Sequence, residues 1–239
     1  MIPFVEFPKM PRLNRECTIV EKIDGTNAQI HIVDKSFPNT ANRLLGQDVA
    51  IQRWGPTLVS RLWGRECVWQ NDSLAILAGS RTRWISPGKD HYRFAGWVQR
   101  NAEELSKLGP GRHYGEWWGQ GIQRGYGLSE KRFSLFNVDR FSVLPRCHEN
   151  DRDPSAAVPG VVDSVTGETI NCCHVVPTLY TGPFRTSAVE AILALLKETS
   201  YAAPGFKDPE GIIIWHAAAE HGFKVTLKDD EQPKSLAPK

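Results

Sequence analysis

The sequence predicts a fold that mixes β-strands and α-helices around a substantial core. Short runs rich in β-branched residues alternate with polar positions, longer segments repeat apolar residues at helical spacing, and 41% of the 239 residues are hydrophobic. The 29 Lys and Arg nearly balance the 27 Asp and Glu, which leaves a formal net charge of +2. Any surface that binds a polyanion must therefore be local.

Strands are predicted between residues 17 and 141 and again near the end of the chain. The runs at 17–22 and 28–33 flank a polar segment with Asp24 and Gly25, and Asp-Gly is a turn signal. The remaining strand candidates are the segments 74–85, 113–119, 132–141, 211–217 and 223–227. Residues 36–64 have a weak period and are predicted to be a loop or short helices, and residues 145–160 an exposed connection.

Two amphipathic helices are predicted between these strands. Apolar residues of the first repeat at helical spacing at Phe94, Trp97, Val98, Ala102, Leu105 and Leu108. Gly109 and Pro110 supply its end. The second helix begins near Thr186 or Ser187, either of which can cap it. Its predicted buried side consists of Ala188, Ile192, Leu195 and Leu196.

Cysteine usage and hydropathy exclude several classes of protein. The five cysteines include no Cys-x-x-Cys pair, which argues against a disulfide framework and a tetrahedral zinc site. The chain lacks the pattern of a signal peptide, and no apolar run approaches the roughly 18 residues of a membrane span. We therefore expect no membrane contact and a cytoplasmic protein, in the host cytoplasm if a phage encodes it.

The strongest local signal is the K-x-D-G-x-N sequence from Lys22 to Asn27, a lysine at a strand end followed by a polar turn. An ordinary hairpin with a surface lysine is one interpretation. The functional interpretation requires lysine, because a neutral amine can attack the α-phosphorus of a nucleotide and form a phosphoramidate, whereas arginine cannot be deprotonated. Nearby cations, a metal or partial desolvation would help to remove the proton.

The order of motifs resembles that of the covalent nucleotidyltransferase superfamily, which contains RNA ligases, DNA ligases and mRNA capping enzymes. The segment from Lys22 to Asn27 resembles its nucleophile motif. The segments that resemble the later motifs are, in chain order, 80–83, 114–116, 134–138, 210–214 and 223–226. RNA ligases usually carry asparagine at the position of Asn27, where the other two classes carry arginine. The segment 119–123 resembles the G-x-G-I-Q of the RNA ligase 2-like branch, which favours an RNA-directed enzyme.

The resemblance implies an α+β fold, the nucleotidyltransferase (adenylation) domain of the ligase type, with mainly antiparallel sheets and flanking helices. We expect a single domain over residues 1–239, with the motif-bearing core at 17–228. The expected tail is 229–239, with no C-terminal accessory domain.

The resemblance also implies roles for individual residues. Lys22 is the expected nucleophile that takes up AMP, and Lys224 the cation that meets the α-phosphate. The expected nucleotide-binding residues are Glu21, Asn27, Arg81, Glu116, Phe136, Lys224 and Lys228. Glu210 is expected to organise Mg²⁺ or Mn²⁺. The candidates for RNA contact or later steps are Asp24, Asn27 and Arg83.

The sequence departs from the motif pattern in two places. Thr226 stands where the final motif usually has a second lysine, so Lys228 or Lys234 is the expected substitute. Trp215 stands where many relatives have a lysine after the acidic motif.

The expected function is an ATP-dependent RNA ligase that joins 3′-hydroxyl and 5′-phosphate ends through a lysyl-AMP and an RNA-adenylate, by analogy in phage or bacterial RNA repair. The alternatives are a DNA ligase or capping-type guanylyltransferase on the same core, or a catalytically inactive RNA-binding module. A protein partner or the insertion 36–70 could supply RNA contact. The cations and rings of that insertion are Arg43, Arg53, Arg61, Arg65, Trp54, Trp63 and Trp69.

Overall fold

The computed structural model describes residues 3–7, 9–35, 67–143 and 159–228. The chain forms two compact units. We call Met1–Ile23 with Pro177–Lys239 the terminal unit and Asp24–Val176 the central unit. The single domain expected from the sequence stays a prediction. The expected tail, the loop at 36–64 and nearly all of the connection at 145–160 lie outside the described residues.

Short strands predominate over helices in the described residues. In chain order the strands are β1 (Glu16–Lys22), β2 (Thr26–Asp34), β3 (Cys67–Gln70), β4 (Leu74–Ser80), β5 (Trp84–Ile85), β6 (Gly111–Gly119), β7 (Lys131–Leu135), β8 (Phe141–Val143), β9 (Val161–Asp163), β10 (Thr169–Ile170), β11 (His174–Val175), β12 (Thr178–Pro183), β13 (Gly211–His216) and β14 (His221–Thr226). The α-helices are α1 (Phe94–Arg100), α2 (Ala102–Ser106) and α3 (Thr186–Glu198). The sheet-rich α+β class expected from the sequence is confirmed.

The terminal unit contains an antiparallel sheet with the strand order β12-β1-β13-β14. One face of this sheet packs against α3, whose buried residues are Val189, Ile192 and Leu196. Because side chains alternate along a strand, the other face carries Lys22 and its neighbours. We call this the lysine face; it consists of Thr18, Val20, Lys22, Gly211, Ile213, Trp215, Gly222, Lys224 and Thr226.

The central unit contains a seven-stranded sheet with the order β11-β7-β6-β2-β4-β3, to which β5 adds beside β4. All pairs in it are antiparallel except β11 with β7. Apolar residues of α1 and α2 join the core of this sheet, among them Phe94, Val98 and Leu105. A three-stranded sheet, β10-β9-β8, completes the unit. There the Arg140 guanidinium donates to the buried Asp163 carboxylate at 2.6 Å.

Several sequence predictions need correction in detail. The predicted strand 74–85 is divided into β4 and β5 by a turn in which Ser80 N donates to the carbonyl of Arg83 at 2.8 Å. The predicted strand 132–141 likewise ends at Leu135, before β8. The predicted long helix is divided into two helices, because α1 ends at Arg100 and α2 begins at Ala102.

The start and the buried face of α3 also differ from the prediction. Arg185 is the N-cap residue, so neither Thr186 nor Ser187 caps this helix. Ile192 and Leu196 are buried as predicted, but Val189 is buried in place of Ala188, and Leu195 is 55% exposed.

Two chemical expectations can be compared with the described residues. Their four cysteines, Cys17, Cys67, Cys172 and Cys173, are free thiols. Among the described residues, none of the helices has the length and apolar character needed to cross a membrane.

Candidate functional site

Lys22 is the last residue of β1, and its Nζ forms an ion pair with Oε2 of Glu210. Glu210 directly precedes β13, and its carbonyl accepts from Leu227 N at 2.9 Å, which fixes it to the end of β14. The Lys22 side chain is 23% exposed and that of Glu210 4%. The structure thus joins the predicted nucleophile to the predicted metal ligand across adjacent strand ends.

Gly211 brings the three strand ends together closely. It pairs with Lys22 on β1 and with Thr226 on β14. A Cβ at this position would lie 2.1 Å from the carbonyl oxygen of Val225, and the φ angle of +154° is one that L side chains rarely adopt. The glycine after Glu210 is therefore required by close packing of β13 on β14.

Lys224 lies on the lysine face together with Lys22. It is two strands away and is offset from Lys22 by two residues along the strand direction. Strand spacing of about 4.8 Å and a rise of about 3.3 Å per residue put their Cα atoms roughly 12 Å apart. Two extended lysine side chains can approach one anionic group over that distance. Lys228 instead forms a surface ion pair with Asp208 at 2.7 Å, and Lys234 lies outside the described residues.

Glu21 has its side chain on the face opposite Lys22 and is 1% exposed. Its carboxylate accepts hydrogen bonds from Ser200 Oγ at 2.6 Å, Tyr201 N at 2.8 Å and Ala202 N at 2.9 Å. Burial raises the pKa of this carboxyl, and the three hydrogen bonds oppose the rise only in part. The structure therefore gives the carboxylate of this predicted nucleotide-binding residue internal partners, which anchor β1 to the segment after α3.

In the central unit, Asn27 on β2 lies opposite Glu116 on β6. Asn27 Nδ2 donates to Glu116 Oε2 at 3.1 Å. Glu116 is 8% exposed and is flanked on its other side by Ser134 of β7. The amide orients the carboxylate, so that two predicted nucleotide-binding residues form one hydrogen-bonded pair.

Asp24 and Gly25 are held by β6 and by the glycine-rich loop that follows it. Arg124 Nε donates to Asp24 Oδ2 at 3.0 Å, and Asp24 N donates to Tyr126 Oη at 2.8 Å. A Cβ on Gly25 would lie 2.6 Å from the carbonyl oxygen of Trp117, so only glycine allows the start of β2 to pass β6. The predicted Asp24 is thus part of an ion pair within the central unit.

The remaining predicted residues lie at strand ends of the same unit. Arg81 and Arg83 are exposed and belong to the turn after β4, whose last residue, Ser80, pairs with Ala28 next to Asn27. Phe136 follows β7 and is 41% exposed, while its N–H donates to the carbonyl of Tyr114 at 3.0 Å. An exposed ring held by its own backbone is suited to stacking on a planar ligand.

Sequence reasoning missed several residues that hold these groups. Arg124 and Tyr126 belong to a loop identified by its glycines, but nothing in the sequence indicated that they would bind Asp24. His91 Nε2 lies 3.0 Å from Thr26 Oγ1 and supports the start of β2. Ser200, the partner of Glu21, carried no motif. The missed residues lie outside the strands and α-helices, and their contacts depend on the tertiary fold, which no local pattern encodes.

The acidic residues present suit a divalent cation that is held partly by its substrate. The described residues include no group of three or more His, Cys, Asp or Glu that could hold a metal. Mg²⁺ and similar cations are, however, usually bound by one or two carboxylates plus substrate phosphates and water. The buried carboxylate of Glu210, already paired with a cation at Lys22, meets that requirement.

A family model described as RNA ligase matches residues 15–228 of the chain. This match spans the lysine motif, Glu116, Glu210 and Lys224, in the order found above. The chain therefore belongs to the RNA ligase family.

Solved structures of an RNA ligase from Naegleria gruberi are also similar to the chain. A mutant with ATP and Mn is 15% identical, with a TM-score of 0.47, over 90% of this chain and 50% of that one. The same ligase with PPi is 15% identical, with a TM-score of 0.46, over 95% and 57%. The chain thus spans about half the length of the solved structures it matches. No curated protein matches it significantly.

Proposed function

We propose that the chain is an ATP-dependent RNA ligase. In this function Lys22 takes up AMP from ATP with release of pyrophosphate. The AMP then passes to the 5′-phosphate of an RNA, and an RNA 3′-hydroxyl displaces it to form a phosphodiester. Family membership and the pairing of Lys22 with Glu210 support the proposal.

The Lys22–Glu210 ion pair is the observation that carries the proposal. A nucleophilic amine must be held at a fixed point and must lose its proton before it attacks phosphorus. Glu210 fixes the Lys22 side chain on one side, and its own backbone is fixed between β13 and β14. The cations that bind with ATP would favour loss of the proton. A surface lysine of an ordinary hairpin would have no buried carboxylate as a partner.

The other predicted residues are proposed for the parts of ATP that their chemistry suits. Lys224 would neutralise charge that develops on the α-phosphate. Glu116, oriented by Asn27, would accept hydrogen bonds from the ribose hydroxyls. Phe136 would stack on the adenine, and Arg81 would bind phosphate oxygens with its guanidinium fork.

A divalent cation, Mg²⁺ or Mn²⁺, would be held by Glu210 together with phosphate oxygens. When bound, it would neutralise phosphate charge and favour departure of pyrophosphate. Asp24, Asn27 and Arg83 remain candidates for the steps that involve RNA. Glu21 is proposed to position β1 through its internal hydrogen bonds.

The test is intact-mass spectrometry of the purified protein before and after incubation with ATP and Mg²⁺. We expect an added AMP that pyrophosphate removes and that is absent from the Lys22→Ala variant. Lys22→Ala removes the cation that faces the buried Glu210 carboxylate, so thermal unfolding must accompany the labelling. Lys22→Arg keeps a cation there but cannot act as the nucleophile, so it should also lack the adduct. Lys35, on the surface of the central unit, offers a matched control, since Lys35→Ala removes one charge and should leave AMP uptake unchanged.

The same experiment, repeated with GTP or with nicked DNA, distinguishes the alternative functions. A guanylyltransferase would form its adduct with GTP, and a DNA ligase would pass AMP to nicked DNA more readily than to RNA. An inactive RNA-binding module would form no adduct with either nucleotide. Absence of an adduct from protein free of bound AMP would refute the proposed ligase.

A further inference from the structure

Trp215 is a large apolar side chain on the lysine face, where the sheet otherwise carries Lys22 and Lys224. It pairs with Thr18 on β1 and with Gly222 on β14. Its neighbours along β13, Ile214 and His216, are buried, whereas Trp215 is 48% exposed. The Trp215 side chain therefore contributes little to the core of the terminal unit.

The indole ring lies over a glycine. A Cβ at Gly222 would be 3.7 Å from Cε3 of Trp215 and 3.7 Å from Cγ2 of Ile213, which is ordinary contact distance. The ring thus rests on the strand next to it, while about half of the residue's surface stays exposed. Among the described residues Trp215 takes part in no aromatic pair. A ring supported from below and exposed above is the geometry of a stacking platform.

The charges on the same face indicate what stacks there. Lys224 lies on the adjacent strand, offset from Trp215 by two residues, so their Cα atoms are roughly 8 Å apart. The Cα atoms of Lys22 and Trp215 are roughly 14 Å apart. Cations next to an exposed ring form the combination that binds single-stranded nucleic acid, in which lysines meet phosphates and rings meet bases. An apolar protein partner would gain nothing from the two lysines.

We propose that Trp215 stacks on a nucleobase near the 5′-phosphate end of the RNA substrate. This inference rests on the proposed function, since that end would receive AMP from Lys22. The phosphates of the strand run past Lys224, and a base within the first few nucleotides lies on the ring. Stacking is tolerant of sequence because every base has a π-face. The site therefore selects single-stranded ends rather than a particular base.

Binding of a fluorescent 5′-phosphorylated oligoribonucleotide, followed by anisotropy, tests the inference without any chemistry. Trp215→Ala should weaken binding by about 5- to 150-fold, the effect of removing one stacked aromatic. Trp215→Phe should stay close to wild type. Trp215→Lys adds a charge but no ring and should not restore affinity.

Phe223→Ala is the matched control. Phe223 is on the neighbouring strand, is 49% exposed and packs on His221, but its side chain points to the opposite face of the sheet. Its loss should leave RNA binding within about twofold of wild type. Thermal unfolding of each variant checks that the fold is intact.

An RNA with abasic nucleotides near its 5′ end identifies the stacking partner. Wild-type protein should lose affinity for this RNA, whereas Trp215→Ala should bind it and the normal RNA equally. Three results would each overturn the inference. They are wild-type affinity in Trp215→Ala, the same loss of affinity in Trp215→Ala for the normal and the abasic RNA, and no RNA binding by the wild-type protein. AMP uptake from ATP by Trp215→Ala should equal that of wild type, so failure of uptake in wild type itself would instead refute the proposed function.

Discussion

Replacing Glu21 distinguishes a structural anchor from a nucleotide ligand. In the structure its carboxylate accepts from one hydroxyl and two backbone N–H groups, at 2.6 to 2.9 Å. In Glu21→Ala these donors lose their acceptor inside the protein, at a cost of about 1–3 kcal/mol for each buried group left unpaired. We expect the free energy of unfolding to fall by about 3 kcal/mol or more.

The Glu21→Gln variant should behave differently, because the network can accommodate an amide. The amide oxygen can accept from Tyr201 N and Ala202 N, as Oε2 does now. The amide nitrogen can donate to Ser200 Oγ, which already accepts from Ala203 N at 3.0 Å, if the hydroxyl rotates. Burial raises the pKa of Glu21, so the surroundings also disfavour the charge that glutamine lacks. We expect a loss of about 1 kcal/mol or less.

Urea unfolding of the three proteins measures both differences. A raised carboxyl pKa means that the folded protein binds the proton more tightly than the unfolded chain, so the ionised group opposes folding at neutral pH. As the pH falls toward the ordinary glutamate value of about 4.3, wild type should therefore gain stability relative to Glu21→Gln. Equal losses in both variants, or reduced ATP affinity with unchanged stability, would contradict the role of Glu21 as an anchor.

Further predictions concern Asp163, Gly211 and Asn27. Asp163→Asn should cost about 2 kcal/mol near neutral pH, because Arg140 holds the pKa of Asp163 at about 2. A lowered carboxyl pKa stabilises the fold above about pH 3.9 and ceases to do so toward pH 2, so the two unfolding curves should converge in acid. Gly211→Ala should lower stability by about 3 kcal/mol and reduce AMP uptake, since its Cβ would lie 2.1 Å from a carbonyl oxygen of β14. Normal AMP labelling by this variant would show that close packing of the strand ends at Gly211 is not needed for AMP uptake. Asn27→Asp should reduce AMP labelling more than Asn27→Ala, because it places a second carboxylate next to that of Glu116. Wild-type labelling by both variants would show that the Asn27–Glu116 pair is dispensable.

The sequence predicted most of the longer elements because their patterns are local. Alternation in the segment 17–22 reflects burial on one face of β1, whereas residues 30–33 of β2 are buried on both faces. The two-residue strands β10 and β11 were missed, since so short a segment has no period and forms only where a partner strand exists. The six-residue strand β12 was missed as well, because none of its residues is buried and it shows no apolar alternation. The buried face of α3 was predicted correctly at Ile192 and Leu196 but not at Ala188 and Leu195, which continue the apolar repeat without being buried.

The candidate site was predictable in its residue types but not in its contacts. The motifs predict roles for Lys22, Glu116 and Glu210 from their order alone. The pairing of Asn27 with Glu116 depends on the register of β2 on β6, which no local pattern encodes. The same is true of Arg124 on Asp24, because these residues are 100 positions apart in the chain.

The two faces of the sheet in the terminal unit divide stability from chemistry. Glu21 and Lys22 are neighbours, yet alternation places the first among buried donors and the second beside Glu210 on the lysine face. Glu21, one residue away, thus anchors the strand that carries the proposed nucleophile and leaves the proposed substrate face open. Substitutions on the α3 face should therefore lower stability more than activity, and substitutions of Lys224 or Trp215 should lower activity or RNA binding more than stability.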